Sequence, residues 1–463
     1  MTRSTRPGVA IAALIVTCAS ALAACSSGTG PAPFSGAFGK IPPAAPGPRH
    51  AGTITWAKSP GTAPTWILPL VTAVNFTARN TSQFSALIWR PLYWFSNGVQ
   101  PVQTPAMSLA NPPVWSNGDK TVTVTLKSSY KWSDGQPITS KDVLFNFDEI
   151  RAAIAESPAN WGPYTPGLGI PDEVASVTTP SSKTIVFNLK KAVNPGWFYD
   201  DELPSLSPMP AHAWAKASAS GPALDFTVPA NAKKIWDFLN AAARSEATYT
   251  TNPLWQVVDG PYKLTQFNSG SGAFTMTPNP AYGGPHVRKM SVLQAVPFTS
   301  DTAELNAVRA GRVDVGYLPL TGIKQAKTVK AAGYNVFGYP GFGFSYVTYN
   351  FLDKTGNFDK VVAQLYFRQA MAHLENEKGW IKAFLDGAGG QDYGPIPAIP
   401  SSPYAPPDAV TDPYPFSVST AISLLKRHGW TVTPGGTDTC AKPGPGPGRC
   451  GAGIPAGTKL SFN

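Results

Sequence analysis

Histidine and cysteine are scarce in this chain, at 5 and 4 of 463 residues, and charged side chains make up only 14%. His50, His212, His286, His373 and His428 lie far apart, without the spacing of a His-Glu-x-x-His zinc site. No metal site is expected. A Gly-x-Ser-x-Gly elbow is absent, and no cysteine stands beside a plausible base, so the chemistry of an exported hydrolase is missing. Asp200-Asp201-Glu202 reads as a solvated acidic loop rather than an acid/base site. The net charge is +10, yet no dense Lys/Arg tract or basic helix face accompanies it, which argues against nucleic acid as a partner. Beyond Ala24 no apolar run reaches the ~20 residues that span a bilayer. There is no internal repeat, so solenoids and repeat-built adhesins are excluded.

Proline (48) and glycine (43) are abundant, as expected of a loop-rich exported protein rather than a helical bundle. Arg3 and Arg6 precede an apolar stretch from Val9 to Ala24, broken only by Thr17, Cys18 and Ser20. A positive start, a short greasy middle and small residues at the exit describe an export signal over residues 1–24. Leu22-Ala23-Ala24-Cys25 resembles the lipobox of bacterial lipoproteins. That resemblance implies cleavage before Cys25 and lipidation of its sulfur and amino end. Several acyl chains anchor stably where one does so only marginally. Residues 25–50 are rich in Pro, Ala, Gly and Ser and cannot bury enough surface to order themselves, so they read as a tether. About 410 residues remain, enough for two or three domains. With Cys18 cleaved off and Cys25 lipidated, Cys440 and Cys450 are left. In an oxidising compartment a disulfide is the default reading for them.

Strand and helix patterns alternate. Thr53–Ala57, Thr121–Lys127 and Thr184–Lys190 alternate with period two and read as strands. Helices are expected over Phe84 to Pro91, Lys141–Ala155, Asp301 to Gly311, Lys360–Phe384 and Ser419–His428. Thr139 with Asp142, and Asp301 with Glu304, read as helix-start caps. Val313 and Val315 read as the start of a further strand. In the long Lys360–Phe384 helix, Val361, Leu365, Ala370, Met371 and Leu374 are expected to face inward. The fold class is therefore α/β.

The wording of several segments goes further. Lys131-Trp132-Ser133-Asp134-Gly135-Gln136-Pro137-Ile138-Thr139, followed by Lys141-Asp142-Val143, is the most recognisable stretch. Asp259-Gly260-Pro261-Tyr262, Asn279-Pro280-Ala281-Tyr282-Gly283-Gly284, Ala310-Gly311-Arg312-Val313-Asp314 and Arg368-Gln369-Ala370 follow in order. Together they resemble family 5 of the bacterial extracellular solute-binding proteins, the receptors of peptide and nickel ABC importers. The resemblance runs over nearly all of 51–463. One departure is Glu375-Asn376-Glu377, where the family usually shows Ile-Asp-Arg. Family members also run on beyond Asn463, so the second lobe is expected to be incomplete. The acidic residue that pairs with a peptide's amino terminus in peptide-binding members is not assigned to any position here.

The resemblance implies a type II periplasmic-binding-protein fold of the large class, with two lobes and an extra subdomain. The first lobe would span 51–297, with an inserted subdomain near 96–200, and the second 298–463. Ala295-Val296-Pro297 would carry the chain across. Ligand between the lobes stabilises the closed form, and no bond is made or broken. The implied partners are a peptide or other small ligand, the transmembrane subunits of a permease, and the membrane through the lipid anchor. The protein is expected to be an extracytoplasmic monomer without a cofactor. A nickel chelate, an oligosaccharide, a lipid or a haem-like group is the alternative ligand. The loop Lys58-Ser59-Pro60-Gly61-Thr62 is expected to reach the cleft, with Ser59 and Thr62 at the ligand. Trp66, Phe342, Phe344, Tyr346 and Tyr349 are the aromatic candidates for enclosing it. Trp132 reads as packing.

Overall fold

The computed structural model describes residues 52–95, 102–285, 291–338, 343–398 and 404–461. The signal, the tether, Cys25 and Phe342 lie outside the described residues.

The strand patterns are realised almost as read. β1 (Thr53–Lys58) opens the chain, β2 (Val114–Ser116) and β3 (Thr121–Thr125) follow, and then β4 (Val174–Ser181) and β5 (Thr184–Leu189). In β3 and β5 the alternate residues Val122, Val124, Ile185 and Phe187 are fully buried, which pins the register. β2, β3, β5 and β4 form one antiparallel sheet in that order. β6 (Tyr262–Phe267), β7 (Phe274–Pro278) and β8 (Val292–Pro297) form a second sheet with β1, in the order β1-β8-β7-β6. Only β1 and β8 are parallel there. One large core serves both sheets and includes Trp66, Trp89, Trp132, Trp214, Trp236 and Trp255.

The helix Ser140–Glu156 begins as the sequence predicts. Asp142 accepts the Thr139 backbone N–H at 2.7 Å and the Thr139 hydroxyl at 3.0 Å. Its other oxygen accepts the Ala211 N–H at 3.0 Å, so the cap also ties down a second segment. Gly260 is required by space: its N–H meets the Ile88 carbonyl at 2.7 Å, and a Cβ there would lie 2.4 Å from Ile88 carbon. The expected Phe84–Pro91 helix is shorter, reduced to helical turns at Thr81–Ser85 and Ala86–Ile88.

At Lys58 the chain changes cores. Ala57 joins a small cluster with Val308, Val313 and Val329, while Trp56 packs against the large core. The helix Asp301–Arg309 is capped by Ser300, whose hydroxyl accepts from Ala303 N at 3.2 Å. The expected Asp301/Glu304 cap is thus corrected: Glu304 turns inward, fully buried, and accepts the Tyr317 N–H. The strand expected from Val313 and Val315 reduces to a single parallel bridge of Val315 to Trp56, fixed by Asp314 accepting from Thr55 at 2.7 Å.

The long helix expected over 360–384 is three helices: Phe358–Val362, Leu365–Ala372 and Glu377–Phe384. Arg368 donates to the freed Val362 carbonyl at 2.6 Å, and Asn376 caps the third helix through Gly379 N. Each break rotates the pattern. Tyr366, Phe367 and Ala370 are buried, whereas Leu365 is 57% and Leu374 40% exposed, against expectation. The helix Val418–Arg427 starts at Ser417 and ends at Gly429, whose φ of +76° suits only glycine without strain. β9 (Trp430–Thr431) and β10 (Thr439–Cys440) close a third core with Val361, Tyr366, Phe367 and Leu425. Cys440 and Cys450 are joined there, with Cα atoms 6.0 Å apart.

Candidate functional site

The structure brings three of the aromatic candidates into one wall. Phe344, Tyr346 and Tyr349 line a cavity of about 430 Å³. The Phe344 and Tyr346 rings lie 5.3 Å apart, and Tyr346 is 70% exposed. Tyr349 is half-buried against the third core. Tyr393 and Tyr414 complete the aromatic part of the lining.

Carboxylates that the sequence reading passed over line the same cavity: Glu375, Glu377, Asp392 and Asp412. They come from three stretches of chain, so only the fold assembles them. Glu377 accepts from Gln391 Nε2 at 2.9 Å, and Asp412 accepts from Tyr414 N at 2.9 Å. Burial raises the Asp392 carboxyl above its ordinary range. The Tyr393 hydroxyl is raised by burial and then by Asp412 and Glu377, and that of Tyr349 by burial and then by Glu375. Burial is the larger cause in each case, and the carboxylates add to it at the two tyrosines. Such a cavity favours a positively charged group, held by carboxylates and by aromatic faces.

Across the fold, the loop after β1 is compact. Thr62 donates its N–H and hydroxyl to the Ser59 carbonyl, at 3.3 and 2.5 Å. Arg79 donates to the Gly61 carbonyl at 3.1 Å. Ser59 and Thr62 are half-buried and separate from the aromatic cavity lining. Trp66 is 1% exposed, with its indole N–H on the Leu70 carbonyl at 3.1 Å, so core packing accounts for it. Trp132 is fully buried, as read.

A larger cavity lies elsewhere. About 1010 Å³ opens between helix Ser140–Glu156, β4 and helix Pro229–Arg244. Its acids are already engaged: Glu156 takes the Trp236 indole N–H, and Asp172 takes the Tyr164 hydroxyl and Gly167 N–H. Glu202, expected to be solvated, is half-buried and accepts the Ile170 N–H at 2.6 Å. Burial first, then Asp201 and Glu173, push its carboxyl up to about 7. Among the described residues no group of His, Cys, Asp and Glu could hold a metal ion, and no helix is long and apolar enough to cross a membrane.

Residues 104–448 match the bacterial extracellular solute-binding proteins, family 5 middle. A putative ABC transporter peptide-binding protein of Brucella ovis is 25% identical over 312 residues, 67% of this chain and 49% of the relative. A probable D,D-dipeptide-binding periplasmic protein of Escherichia coli is 26% identical over 290 residues, 61% of this chain and 46% of the relative. The chain thus spans about half the length of these curated relatives. Among solved structures, the Bacillus subtilis oligopeptide-binding protein AppA with a nonapeptide superposes with a TM-score of 0.56 at 18% identity, over 83% of this chain and 65% of that one. NikA from Brucella suis, bound to Fe(III)-EDTA, gives 0.56 at 17% identity, over 82% and 65%. These neighbours share the two-lobed type II fold, and proteins of this family serve ABC transporters as solute receptors rather than enzymes. The chain belongs to the family 5 bacterial extracellular solute-binding proteins.

Proposed function

We propose that this protein is the lipid-anchored receptor of an ABC importer and captures peptides between its two lobes for delivery to the permease. The first lobe spans 51–297, with its subdomain near 96–200, and the second begins at 298. The observation that carries the peptide assignment is the aromatic and acidic cavity formed by Phe344, Tyr346 and Tyr349 with Glu375, Glu377, Asp392 and Asp412. Every unblocked peptide carries an ammonium at one end and apolar or planar groups along its length. Carboxylates suit the first and aromatic rings the second. The same carboxylates repel an anionic metal chelate, which sets the nickel-chelate reading below the peptide one. The relatives lend support without agreeing on one ligand: one of Brucella ovis is named peptide-binding and the Bacillus subtilis neighbour holds a nonapeptide, while the Brucella suis neighbour holds Fe(III)-EDTA.

Thermal-shift screening of the chain against di- to hexapeptides, oligosaccharides and metal chelates tests the assignment. Peptides should raise the melting temperature reversibly and without turnover. A shift with sugars or chelates and none with any peptide would overturn it. The anchor is tested separately. Wild-type protein should fractionate with membranes, and Cys25→Ala should release it to the soluble fraction. Retention of Cys25→Ala at the membrane would remove the lipid from the proposal.

A further inference from the structure

Lys58 stands at the end of β1, directly before the Ser59–Thr62 loop, and is only 2% exposed. Among the described residues its ammonium makes one hydrogen bond, to the Gln83 side-chain carbonyl, and lies 4.6 Å from the centre of the Trp56 ring. Neither partner is an anion. Among the described residues, no ion pair includes Lys58. Burial alone lowers its ammonium to about 8, with no carboxylate pulling the other way. A cation withdrawn from water is costly until an anion meets it, and a neutral amide carbonyl compensates only in part. The position is also the crossing point of the two lobes: the Lys58 carbonyl accepts the Phe298 N–H at 3.1 Å, where β8 hands the chain onward. Arg79 adds a second cation beside the loop through Gly61, with Glu246 as its acidic neighbour.

We propose that Lys58 is the first-lobe binding residue for the ligand's carboxylate, and that the half-buried Gln83 amide holds its place in the empty protein. This rests on the peptide reading, because a free peptide supplies the carboxylate at the end opposite its ammonium. Lys58 opens the loop expected from sequence to reach the cleft, although its charge is assigned no role there. The ligand's carboxylate replaces or joins the Gln83 carbonyl and turns a cation held by neutral groups into a buried ion pair.

The test uses the full chain and a pool of pentapeptides, prepared once with free carboxylates and once as C-terminal amides. Iron(III)-EDTA serves as a carboxylate source without a peptide. Wild type should bind the free-acid pool at least about tenfold more tightly than the amide pool. Lys58→Met should abolish that discrimination by weakening the free-acid pool to the level of the amide pool. Gln83→Leu, which keeps the cation, should preserve it. Discrimination that persists in Lys58→Met, or an equal loss for both pools, overturns the Lys58 assignment and leaves the peptide reading standing. Binding of iron(III)-EDTA alone, lost in Lys58→Met, overturns the peptide reading and supports Lys58 as the carboxylate residue. Binding of iron(III)-EDTA alone that survives in Lys58→Met overturns both, as does wild type that binds none of the three.

Discussion

At the scale of single residues, buried ionisable groups set the sharpest expectations. Asp259 is fully buried and accepts the Arg90 N–H at 3.1 Å, while the Arg90 guanidinium lies 4.2 Å from the Trp94 ring centre and 5.4 Å from that of Tyr282. The bond comes from the Arg90 backbone, so removing the Asp259 carboxyl leaves that buried N–H without its acceptor. Asp259→Ala should therefore cost ~1–3 kcal/mol in denaturant unfolding, and Asp259→Asn, which keeps the acceptor, clearly less. Equal losses would show that the carboxyl oxygens do not hold Arg90. Glu202 gives a pH prediction. Its folded pKa of about 7 lies above the value in the unfolded chain. Between those values the folded protein holds a proton that the unfolded chain has released. Its contribution is thus complete below the ordinary glutamate range and is lost as pH rises through about 7. Glu202→Gln keeps the acceptor for Ile170 N–H and should flatten the fall in stability over that window. An unchanged slope in unfolding curves from pH 4 to 8 would refute the assignment.

At the scale of elements, local chemistry is enough where one face is apolar and caps are explicit. β3, β5 and the helix Ser140–Glu156 were legible for that reason, and the Asp142 cap carries a quantitative consequence. Asp142→Ala removes acceptors for Thr139 and Ala211 together, so it should cost ~2–3 kcal/mol, more than a cap that serves its own helix alone. A loss below about 1 kcal/mol would mean that the Ala211 contact contributes nothing. The 360–384 segment was misread because its helical periodicity runs through breaks that contain neither proline nor glycine. Arg368 and Asn376 satisfy the broken ends, and those partners are visible only in three dimensions. Ser300 displaced the expected cap for a related reason: Glu304 accepts the Tyr317 N–H, a partner that only the fold supplies.

At the scale of the whole molecule, the candidate site was half legible. Aromatics near Tyr349 announce themselves by type. The acids facing them do not, because Glu375, Glu377, Asp392 and Asp412 are ordinary surface carboxylates until three stretches of chain converge. The same tertiary logic predicts how the molecule comes apart. The large first core and the core around Tyr366 share no residue, so each is held by its own contacts. In the latter, the Tyr366 hydroxyl donates to the Cys450 carbonyl at 2.5 Å and accepts the Trp430 indole N–H at 2.7 Å, and its ring stacks on His428 at 3.9 Å. The Cys440–Cys450 ring is therefore wired into that core alone. Replacing both cysteines by serine relaxes the unfolded loop and should cost about 2.5–3 kcal/mol on chain-entropy grounds. The loss should be local. Hydrogen exchange should quicken at Tyr366, Phe367, Ala370, Leu425 and Trp430, while Val122, Val124 and Phe187 keep their protection. Equal loss of protection in both groups would show that the cores unfold as one unit. Closure over a ligand would then act on a single cooperative body rather than on two lobes of separate stability.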